Sequence, residues 1–350
     1  MVKRFAFAVP GDLAIPTGGY AYDRRIISEL GDLGWQVDLL DLGEGFPWPS
    51  QATRAAALTQ LRSIQAGRAI VVDGLALGVL PEATSQLAGR NPLLAMVHHP
   101  LALEAGLSNE QADALRESER AALSAVQAVV VTSASTARLV SADYGVPTER
   151  ITVARPGSDP APKAQGSTDG VVRLLAVGAV VPRKGFDVLI AALATLTELP
   201  WQLSIAGDRT RDRDAAAWLD ADIAGHALKD RVAVLGAVSP QQLAKLYAEA
   251  DAFALASHFE GYGMAYAEAV AYGLPVIGTH GGAIPDTVPP EAGLLVPPGD
   301  IAALSEALRR VIGDSELRRR LASGARAAAV QLPTWRQSAE IFARALERLA

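Results

Sequence analysis

The sequence predicts an α/β protein made of two similar halves, each a Rossmann-like parallel sheet covered by helices. Of its 350 residues, 50% are hydrophobic but only 5% are aromatic, so the interior is aliphatic, as in helix-covered parallel sheets. Short runs rich in Val, Ile and Leu alternate with longer segments rich in Ala, Leu, Arg and Glu, which is typical of βα units. This alternation stops once, in a stretch rich in Pro, Gly and Ser, and then restarts, so we expect two domains.

The first half begins with an apolar run that ends before Pro10 and that predicts a first strand. The run is too short for the core of a signal peptide or for a membrane span. Five similar runs follow, separated by segments that are long enough to hold a crossover helix. The predicted strands of this half are Arg4–Val9, Gln36–Leu40, Ala69–Val72, Leu93–Val97, Ala128–Val131 and Ile151–Val153.

Residues 155–170 have the Pro, Gly and Ser content of an interdomain linker. We place the domain boundary in this stretch, so that residues 1–165 form an N-terminal domain and residues 166–333 form a C-terminal domain. The alternation of strands and helices restarts after the linker. The predicted strands of the second half are Val172–Val177, Gln202–Ala206, Val232–Leu235, Ala252–Leu255, Val276–Gly278 and Leu294–Val296.

A terminal amphipathic helix is predicted from about residue 334 to residue 350. Apolar residues recur there at Ile341, Ala345 and Leu349, with Arg and Glu between them. Because residues four apart share one face of a helix, these side chains predict its apolar stripe.

Composition and charge argue against several classes of function. The chain has no cysteine, which excludes disulfides, thiolate metal sites and a cysteine nucleophile. The net charge is −6 and the first half has no basic excess, so nucleic acid is not an expected partner. A basic amphipathic stripe for a membrane surface is not evident, so we expect a cytoplasmic protein with at most peripheral membrane contact.

The segment after the predicted strand Ala252–Leu255 has the features of a ligand site. The strand ends in a polar turn that contains glycine, and Met264–Tyr272 then has a helical pattern. Ligands of open parallel sheets bind at such carboxyl ends of strands. Gly261 and Gly263, on either side of Tyr262, let the backbone approach a ligand closely.

Two kinds of ligand group are predicted at this turn. The first amides of the helix, at Met264 and Ala265, favour an anion such as a diphosphate. Glu260 and Glu268 are good acceptors for hydroxyl groups, so one carboxylate can lie by a sugar and the other by a ribose. The alternative is an ordinary helix N-terminus with an acidic residue and a surface glutamate.

These residues resemble the donor-binding motif of retaining glycosyltransferases of family 4. That motif has two glutamates with the same spacing, glycines beside the first and a following segment similar to Ala271–Ile277. The resemblance is strong over about residues 172–345. Its other segments are Val177–Asp187, Ile205–Asp208, Leu235–Val238, Gly281–Asp286 and Gly293–Asp300.

Arg183 and Lys184 are the predicted cations for the diphosphate. A lysine of the corresponding family segment holds this group, and a cation stabilises the charge that grows on a departing nucleoside diphosphate. Many family members also have Arg directly after Gly178, where this chain has Ala179. Either Arg183 replaces that arginine or the diphosphate has one cationic contact fewer. The alternative for Arg183 and Lys184 is a solvated turn before a helix.

The resemblance implies the GT-B architecture, in which two Rossmann-like domains face each other and a C-terminal helix crosses back to the N-terminal domain. It assigns donor binding mainly to the C-terminal domain, with a backbone contact near Val238 for the donor base. In the N-terminal domain, Gly18 and Gly19 match the family's glycine-rich loop, whose amides can reach the diphosphate. Without the resemblance, this glycine pair is more typical of a plain tight turn.

His98 and His99 end the fourth predicted strand of the first half. Family members commonly have a histidine at this strand end, and it aligns best with His98. Such a histidine can donate to a sugar hydroxyl or steer the acceptor. His99 and the loop residues Phe46 and Trp48 are weaker candidates for the acceptor side, and the two aromatic residues can equally well cover the core.

No metal ion or other cofactor is expected. The acidic pairs Asp212 with Asp214 and Asp220 with Asp222 lie in a stretch interleaved with arginine, without a preceding strand of the required kind. Cationic side chains already supply the charge that a diphosphate needs. No P-loop or serine-elbow pattern is present either.

The resemblance therefore implies metal-independent, retaining transfer of a hexose from a nucleotide sugar to a hydroxyl of a carbohydrate or other acceptor. It assigns Glu260 to hydroxyls of the donor sugar, Glu268 to the ribose, and Lys184 with Arg183 to the leaving diphosphate. Two alternatives stay open: a sugar-nucleotide 2-epimerase of the same fold, and a non-catalytic nucleotide-sugar-binding protein, for which Ala179 is the argument. The nucleoside, the sugar and the acceptor are not determined by the sequence.

Overall fold

The computed structural model describes residues 3–15, 17–104 and 106–349. Pro16, in the predicted glycine-rich loop, and Ala350, at the end of the predicted terminal helix, lie outside these residues. The chain forms two compact units, one made of Met1–Gly157 with Pro333–Ala350 and the other of Ser158–Leu332. Each unit contains a six-stranded parallel sheet, which confirms the predicted α/β class.

Every strand of the first unit lies within one residue of its predicted ends. The strands are β1 (Lys3–Val9), β2 (Trp35–Asp41), β3 (Ile70–Asp73), β4 (Leu93–Val97), β5 (Ala128–Val131) and β6 (Ile151–Val153). Their order in the sheet is β2-β1-β3-β4-β5-β6. The central strands β3 and β4 are buried along their whole length, as expected for a sheet covered by helices on both faces.

Helices follow the strands of this unit in the manner of βα units. They are α1 (Gly18–Asp32), α2 (Gln51–Ser63), α3 (Gly74–Leu77), α4 (Pro81–Leu87), α5 (Asn109–Ser124) and α6 (Ala134–Tyr144), with 3-10 turns at Leu101–Leu103 and Thr148–Arg150. Hydroxyl side chains begin several of them because they accept a hydrogen bond from an otherwise unpaired amide of the first turn. Thr17, for example, accepts from the amide of Tyr20 at the start of α1.

The second unit repeats this design. Its strands are β7 (Val172–Val177), β8 (Trp201–Ala206), β9 (Val232–Gly236), β10 (Ala252–Ala254), β11 (Val276–Thr279) and β12 (Gly293–Val296), again within one residue of the predicted ends. They are arranged in the order β12-β11-β10-β7-β8-β9. The helices are α7 (Phe186–Ala194), α8 (Arg213–Gly225), α9 (Pro240–Glu249), α10 (Met264–Ala271), α11 (Ile284–Thr287), α12 (Ile301–Gly313) and α13 (Ser315–Ala329).

The terminal helix α14 (Trp335–Glu347) returns to the first unit and packs on α1, as the GT-B resemblance implied. The predicted amphipathic helix is confirmed, and its most buried side chains extend beyond the predicted stripe. Ala345 is buried, but Ile341 is only partly buried. Phe342 is instead buried at the centre of the face, where its ring stacks on Phe7 with 6.5 Å between the ring centroids.

The stretch predicted as a linker is bound to the second unit along part of its length. The amide of Ala164 donates to the carbonyl oxygen of Tyr272 at 2.9 Å, and the amide of Gln165 donates to that of Ala248 at 2.8 Å. This unit begins at Ser158, so most of residues 155–170 belong to it. Among the described helices, none combines the length and the apolar composition that are needed to cross a membrane.

Candidate active site

The sheet of the second unit brings two predicted site segments together. Strand β7, the first of this unit in the chain, lies next to β10, the fourth, so the connections after them run to opposite sides. Ligands of open α/β sheets bind at the carboxyl ends of strands at such a switch point. Lys184 follows β7 and Glu260 follows β10.

A tight turn after β7 positions the two predicted cations. Pro182–Lys184 form a single 3-10 turn that ends at Gly185 with a φ of 62°. An added Cβ at Gly185 would overlap the carbonyl oxygen of Ala256, so only glycine lets this turn lie against the segment after β10. The carbonyl oxygen of Arg183 accepts a hydrogen bond from the amide of His258 at 2.8 Å, which fixes the two segments to each other.

Glu260 is held by the backbone of the next turn along the sheet. Its carbonyl oxygen accepts a hydrogen bond from the amide of Ala283 at 2.8 Å, and it forms a parallel β-bridge with Gly282. The residue is only 6% exposed. A buried carboxylate requires compensating charge or hydrogen bonds, because isolated burial of an ion is very unfavourable.

That compensation comes from an ion cluster of Arg183, Lys184 and Glu260. The Nζ of Lys184 lies 2.6 Å from Oε1 of Glu260, and a guanidinium nitrogen of Arg183 lies 3.2 Å from Oε2. The hydroxyl of Ser257 donates to Oε1 at 2.7 Å. Burial by itself would raise the pKa of Glu260, but the adjacent Lys184 and Arg183 cations outweigh it and lower that pKa to about 2.

The ion cluster places two cations around one carboxylate, and cationic side chains are the groups that bind phosphate. Three donors occupy the carboxylate of Glu260, which has about four acceptor positions, so it can still accept from one more hydroxyl group. The cluster can therefore bind a phosphate group and a sugar hydroxyl side by side. Ser257 is a member that the sequence analysis missed, because a serine after a strand has no distinctive signal.

Helix α10 begins beside this cluster with its N-terminus uncapped by any side chain. Gly263 has a φ of 88° and precedes Met264, the first residue of the helix. Among the described residues, no acceptor pairs with the amides of Met264 and Ala265. The Tyr266 hydroxyl donates to the carbonyl oxygen of Leu255 at 2.7 Å, which ties the first turn of the helix to the end of β10. This N-terminus is suited to an anionic ligand.

Glu268 lies in different surroundings from Glu260. It is partly buried in α10, and no ion pair joins it to a basic side chain within the described part of the chain. Burial raises its pKa, the negative charge of Asp159 adds to this, and a hydrogen bond with Tyr247 opposes it. Val238 lies in the turn between β9 and α9, directly before the residue that caps α9.

The first unit has a second group of titratable side chains at its own switch point, between β1 and β3. Asp23 lies on α1 after β1, Asp73 ends β3, and His98 follows β4. The Nε2 of His98 lies 3.2 Å from a carboxylate oxygen of Asp23 and 3.3 Å from one of Asp73. We call these three residues the histidine cluster.

The other predicted residues of this unit lie at varying distances from the histidine cluster. Gly19 is so close to the ring of His98 that an added Cβ would lie 3.2 Å from Cδ2, whereas Gly18 is exposed at the start of α1. His99 points elsewhere and pairs with Glu104 at 3.2 Å.

The two aromatic residues of the loop after β2 differ in their surroundings. Phe46 packs partly buried against the core of the first unit. Trp48 is 52% exposed and is therefore available for contact with a ligand.

Asp23 and Asp73 were not predicted as site residues. Asp73 has a weak sequence signal, because a carboxylate ends an otherwise apolar strand. Asp23 has none, because one aspartate in a helix that also contains arginine is typical of a solvated surface.

Two of the four acidic residues that were rejected as a metal site have structural partners. Asp212 caps α8, and Asp220 forms an ion pair with Arg209. Within the described residues, the group whose atoms are close enough to hold a metal ion is the histidine cluster, with its ligand atoms within 4.8 Å of one another.

The two parallel sheets and the returning terminal helix define a protein of the GT-B class, and its second unit contains a largely buried cluster of two cations and one carboxylate. The family model described as "Glycosyltransferase Family 4" matches residues 22–161, and the one described as "Glycosyl transferases group 1" matches residues 158–328. The chain belongs to glycosyltransferase family 4, as its motifs predicted.

Two curated relatives illustrate the similarity. An MMP alpha-(1->4)-mannosyltransferase of Mycolicibacterium hassiacum is 28% identical over 333 residues, which is 87% of this chain and 77% of the relative. A D-inositol 3-phosphate glycosyltransferase of Xylanimonas cellulosilytica is 31% identical over 251 residues, which is 66% of this chain. That alignment spans 60% of the length of the second relative.

Solved structures share the fold over almost the whole chain. A sucrose-phosphate synthase of Thermosynechococcus elongatus has a TM-score of 0.82 at 22% identity and covers 99% of both chains. Anabaena HepE, solved in complex with UDP-glucose, has a TM-score of 0.77 at 20% identity and covers 99% of both chains. At this identity the likeness establishes the GT-B fold.

Proposed function

We propose that this chain transfers a hexose from a nucleoside diphosphate sugar to a hydroxyl of a carbohydrate or other acceptor, with retention of anomeric configuration. The observation that carries the proposal is the ion cluster of Arg183, Lys184 and Glu260 beside the uncapped start of α10. Cations and helix amides are the groups that bind a diphosphate, and the carboxylate can accept from a sugar hydroxyl. A donor with both groups matches this combination.

Lys184 and Arg183 are proposed to stabilise the leaving diphosphate. As the bond between the anomeric carbon and the phosphate oxygen breaks, negative charge grows on that oxygen, and preorganised cations lower the barrier. Because Arg183 reaches Glu260 from the turn next to Lys184, it can supply the second positive charge that Ala179 does not. Two cations make a metal ion unnecessary in this proposal, so we expect activity to survive chelation by EDTA.

The acceptor oxygen is proposed to form the new bond on the face from which the diphosphate leaves. Its proton passes to the departing phosphate oxygen, so that no covalent enzyme intermediate is needed and the configuration is retained. Glu260 orients the donor sugar in this scheme and Glu268 the ribose. The amides of Met264 and Ala265 bind the phosphates, together with the backbone of Gly261–Gly263, and Val238 contacts the base.

The first unit is proposed to serve the acceptor side. His98 is the main candidate there, with Gly18 and Gly19 adding backbone amides for the diphosphate. Trp48, whose ring is largely exposed, is suited to stack on a sugar, and His99 and Phe46 are secondary candidates. A cytoplasmic location and at most peripheral membrane contact remain predictions.

A screen of UDP-, GDP-, ADP- and TDP-sugars by thermal shift tests donor binding. A ligand that binds only the folded state stabilises it by about 2.7 kcal/mol at a hundred times its Kd, so the correct donor raises Tm. The Lys184→Ala variant should lose most of this rise. If no nucleotide sugar raises Tm, the proposed donor site is wrong.

Mass spectrometry of the reaction then separates transfer from the alternatives. A transferase hydrolyses its donor slowly and forms a larger product when a sugar acceptor is added. Conversion of the donor sugar to its epimer without any acceptor would identify a 2-epimerase. A donor that binds tightly but stays unchanged with every acceptor class would identify a nucleotide-sugar-binding protein.

A further inference from the structure

The histidine cluster of the first unit contains more buried negative charge than its surroundings can accommodate without a cation. Asp23 is 0% exposed and Asp73 is 1% exposed. Among the described residues, neither carboxylate oxygen of Asp23 has a hydrogen bond of regular geometry. Its contact with His98 at 3.2 Å is therefore the compensation for its charge.

The protonation state of His98 follows from this geometry. Both carboxylates approach the same ring nitrogen, Nε2, at 3.2 and 3.3 Å. A neutral imidazole has at most one proton there and no net charge, whereas an imidazolium also attracts both carboxylates electrostatically. Two buried anions around one nitrogen thus favour the charged ring.

Other contacts hold the ring in place. An added Cβ at Gly19 would lie only 3.2 Å from Cδ2, and Tyr22 meets the ring edge-on with 5.5 Å between the centroids. The Tyr22 hydroxyl donates to the carbonyl oxygen of Ala154 at 2.9 Å. Burial and the charge of Asp23 raise the pKa of Tyr22, so it stays neutral.

We propose that Asp23 is a positioning residue that, together with Asp73, fixes the ring of His98 and keeps it protonated. The Nε2 edge is buried between the carboxylates, while 19% of the His98 side chain is exposed, so the exposed part of the ring presents a fixed positive charge to a substrate oxygen. The use of that charge in sugar transfer rests on the proposed function. The protonation state of His98 does not depend on it.

The electrostatics of the cluster agree with its geometry. Burial lowers the pKa of His98, but the charges and hydrogen bonds of Asp23 and Asp73 outweigh burial and raise it to about 10. Burial raises the pKa of Asp23 to about 7, in part opposed by His98 and in part assisted by Asp73. The histidine thus stays charged at neutral pH, and Asp23 is ionised above it.

A pH titration of the full chain by NMR, with labelled histidine, tests the state of His98 directly. The chain has five histidines, and the signal that disappears in His98→Gln identifies the one concerned. We expect it to keep its imidazolium shift through pH 8, where a free histidine with a pKa of about 6.5 is neutral. A midpoint near 6.5 in the unmodified chain would overturn the proposal without any variant.

Asp23→Asn tests the part played by the carboxylate, because it removes the charge and keeps the shape. The midpoint of His98 should fall by more than one pH unit. Asp113→Asn, on the exposed surface of α5, is the matched control and should leave it unchanged. Where Asp23→Asn fails to fold, Asp73→Asn should lower the midpoint in the same direction. An unchanged midpoint in a folded variant contradicts the proposal.

Kinetics show whether the charge is used. In Asp23→Asn we expect kcat to fall at least tenfold at pH 8 and to recover as the pH is lowered through the new midpoint of His98, with little change in KM for the donor. A purely structural role would give a loss that does not respond to pH, and that result contradicts the proposal. If the unmodified chain has no transferase activity, the proposed function fails while the NMR titration still decides the state of His98.

A metal ion is the competing occupant, because the three ligand atoms are close enough to hold one. The same NMR samples are titrated with Zn²⁺ and Mn²⁺ and then with EDTA. We expect no stoichiometric shift of the His98 signal and no rise in Tm. A shift that saturates at one equivalent and is absent in Asp23→Asn would identify a metal site and overturn the proposal.

Discussion

At the scale of single residues, one carboxylate holds both cations of the candidate donor site. Glu260 accepts from Lys184 and Arg183, so each cation is fixed before a donor binds. Preorganised charge is effective in catalysis because it needs little reorganisation as the reaction proceeds. Under the proposed function, a diphosphate that enters the site meets cations that are already in place.

Replacing Lys184 by Ala should lower kcat/KM by roughly a hundredfold, the usual loss when one stabilising group of an anionic transition state is removed. Lys245→Ala is the matched control, since Lys245 is 72% exposed on α9 and pairs there with Glu249. Initial rates of product formation by mass spectrometry provide the measurement. Equal activity in the two variants would contradict a role of Lys184 in the donor site.

Glu260 should make the stability of the chain sensitive to acid. Its pKa is lowered from 4.5 to about 2 in the folded state, so its contribution is complete above pH 4.5 and is lost as the pH falls toward 2. A shift of this size corresponds to about 3 kcal/mol, at about 1.4 kcal/mol per pH unit.

Urea unfolding of Glu260→Gln at several pH values measures this loss. The difference in free energy of unfolding between the unmodified chain and the variant should shrink across this range of pH. Glu198→Gln serves as the control, because Glu198 forms only a surface ion pair with Arg309. A difference that is constant with pH would show that Glu260 is not held as an ion.

At the scale of elements, glycine positions determine how closely the turns after neighbouring strands approach. Gly185 combines a positive φ with contact against the backbone of Ala256, whereas Gly170 has a φ of 84° and open space around it. Any other residue would be strained by the positive φ at either position, but only at Gly185 would an added Cβ also overlap a neighbouring atom. The turn with Lys184 therefore depends on Gly185.

Gly185→Ala should consequently destabilise the second unit by several kcal/mol, and Gly170→Ala by only about 1 kcal/mol, the cost of a left-handed conformation for alanine. Urea unfolding followed by circular dichroism compares the two. We also expect the rise in Tm with donor to decrease in Gly185→Ala alone. Similar losses of stability in both variants would mean that the turn adapts without strain.

At the scale of the whole molecule, the last helix completes the core of the unit in which the chain begins. Phe342 is 0% exposed and stacks on Phe7 of β1. Ser338, in the same helix, donates to the carbonyl oxygen of Arg155 at 2.5 Å. The first unit therefore depends on residues from both ends of the chain.

Phe342→Ala should lower the free energy of unfolding by about 3–5 kcal/mol, because it leaves a large cavity in a closed core. Val330→Ala is the control for loss of an apolar side chain at an exposed position, since Val330 is 79% exposed. It should change the free energy of unfolding by less than about 0.5 kcal/mol. Chemical unfolding of the full-length variants measures both values. A small effect of Phe342→Ala would mean that α14 is not part of the core.

Local patterns allowed much of this molecule to be predicted. Runs of apolar residues located all twelve strands of the described residues, because a strand buried on both faces has few polar residues. The stripe predicted for α14 did not include its most buried aromatic residue, and this has a physical reason too. Spacing identifies a helix with an apolar face, but several faces of this helix carry Ala, Ile or Leu, and only packing against the first unit selects the face with Phe342.

The sequence by itself determined the fold class, the strands and the family, and it predicted the residue types of the proposed donor site, because each depends on local spacing or on short motifs. Tertiary structure decided which of those residues meet. Lys184 and Glu260 are 76 residues apart, and they form an ion pair because β7 lies next to β10. In the same way, strand order brings Asp23, Asp73 and His98 together from three segments. Strand order depends on packing of the whole sheet, and no local pattern encodes it.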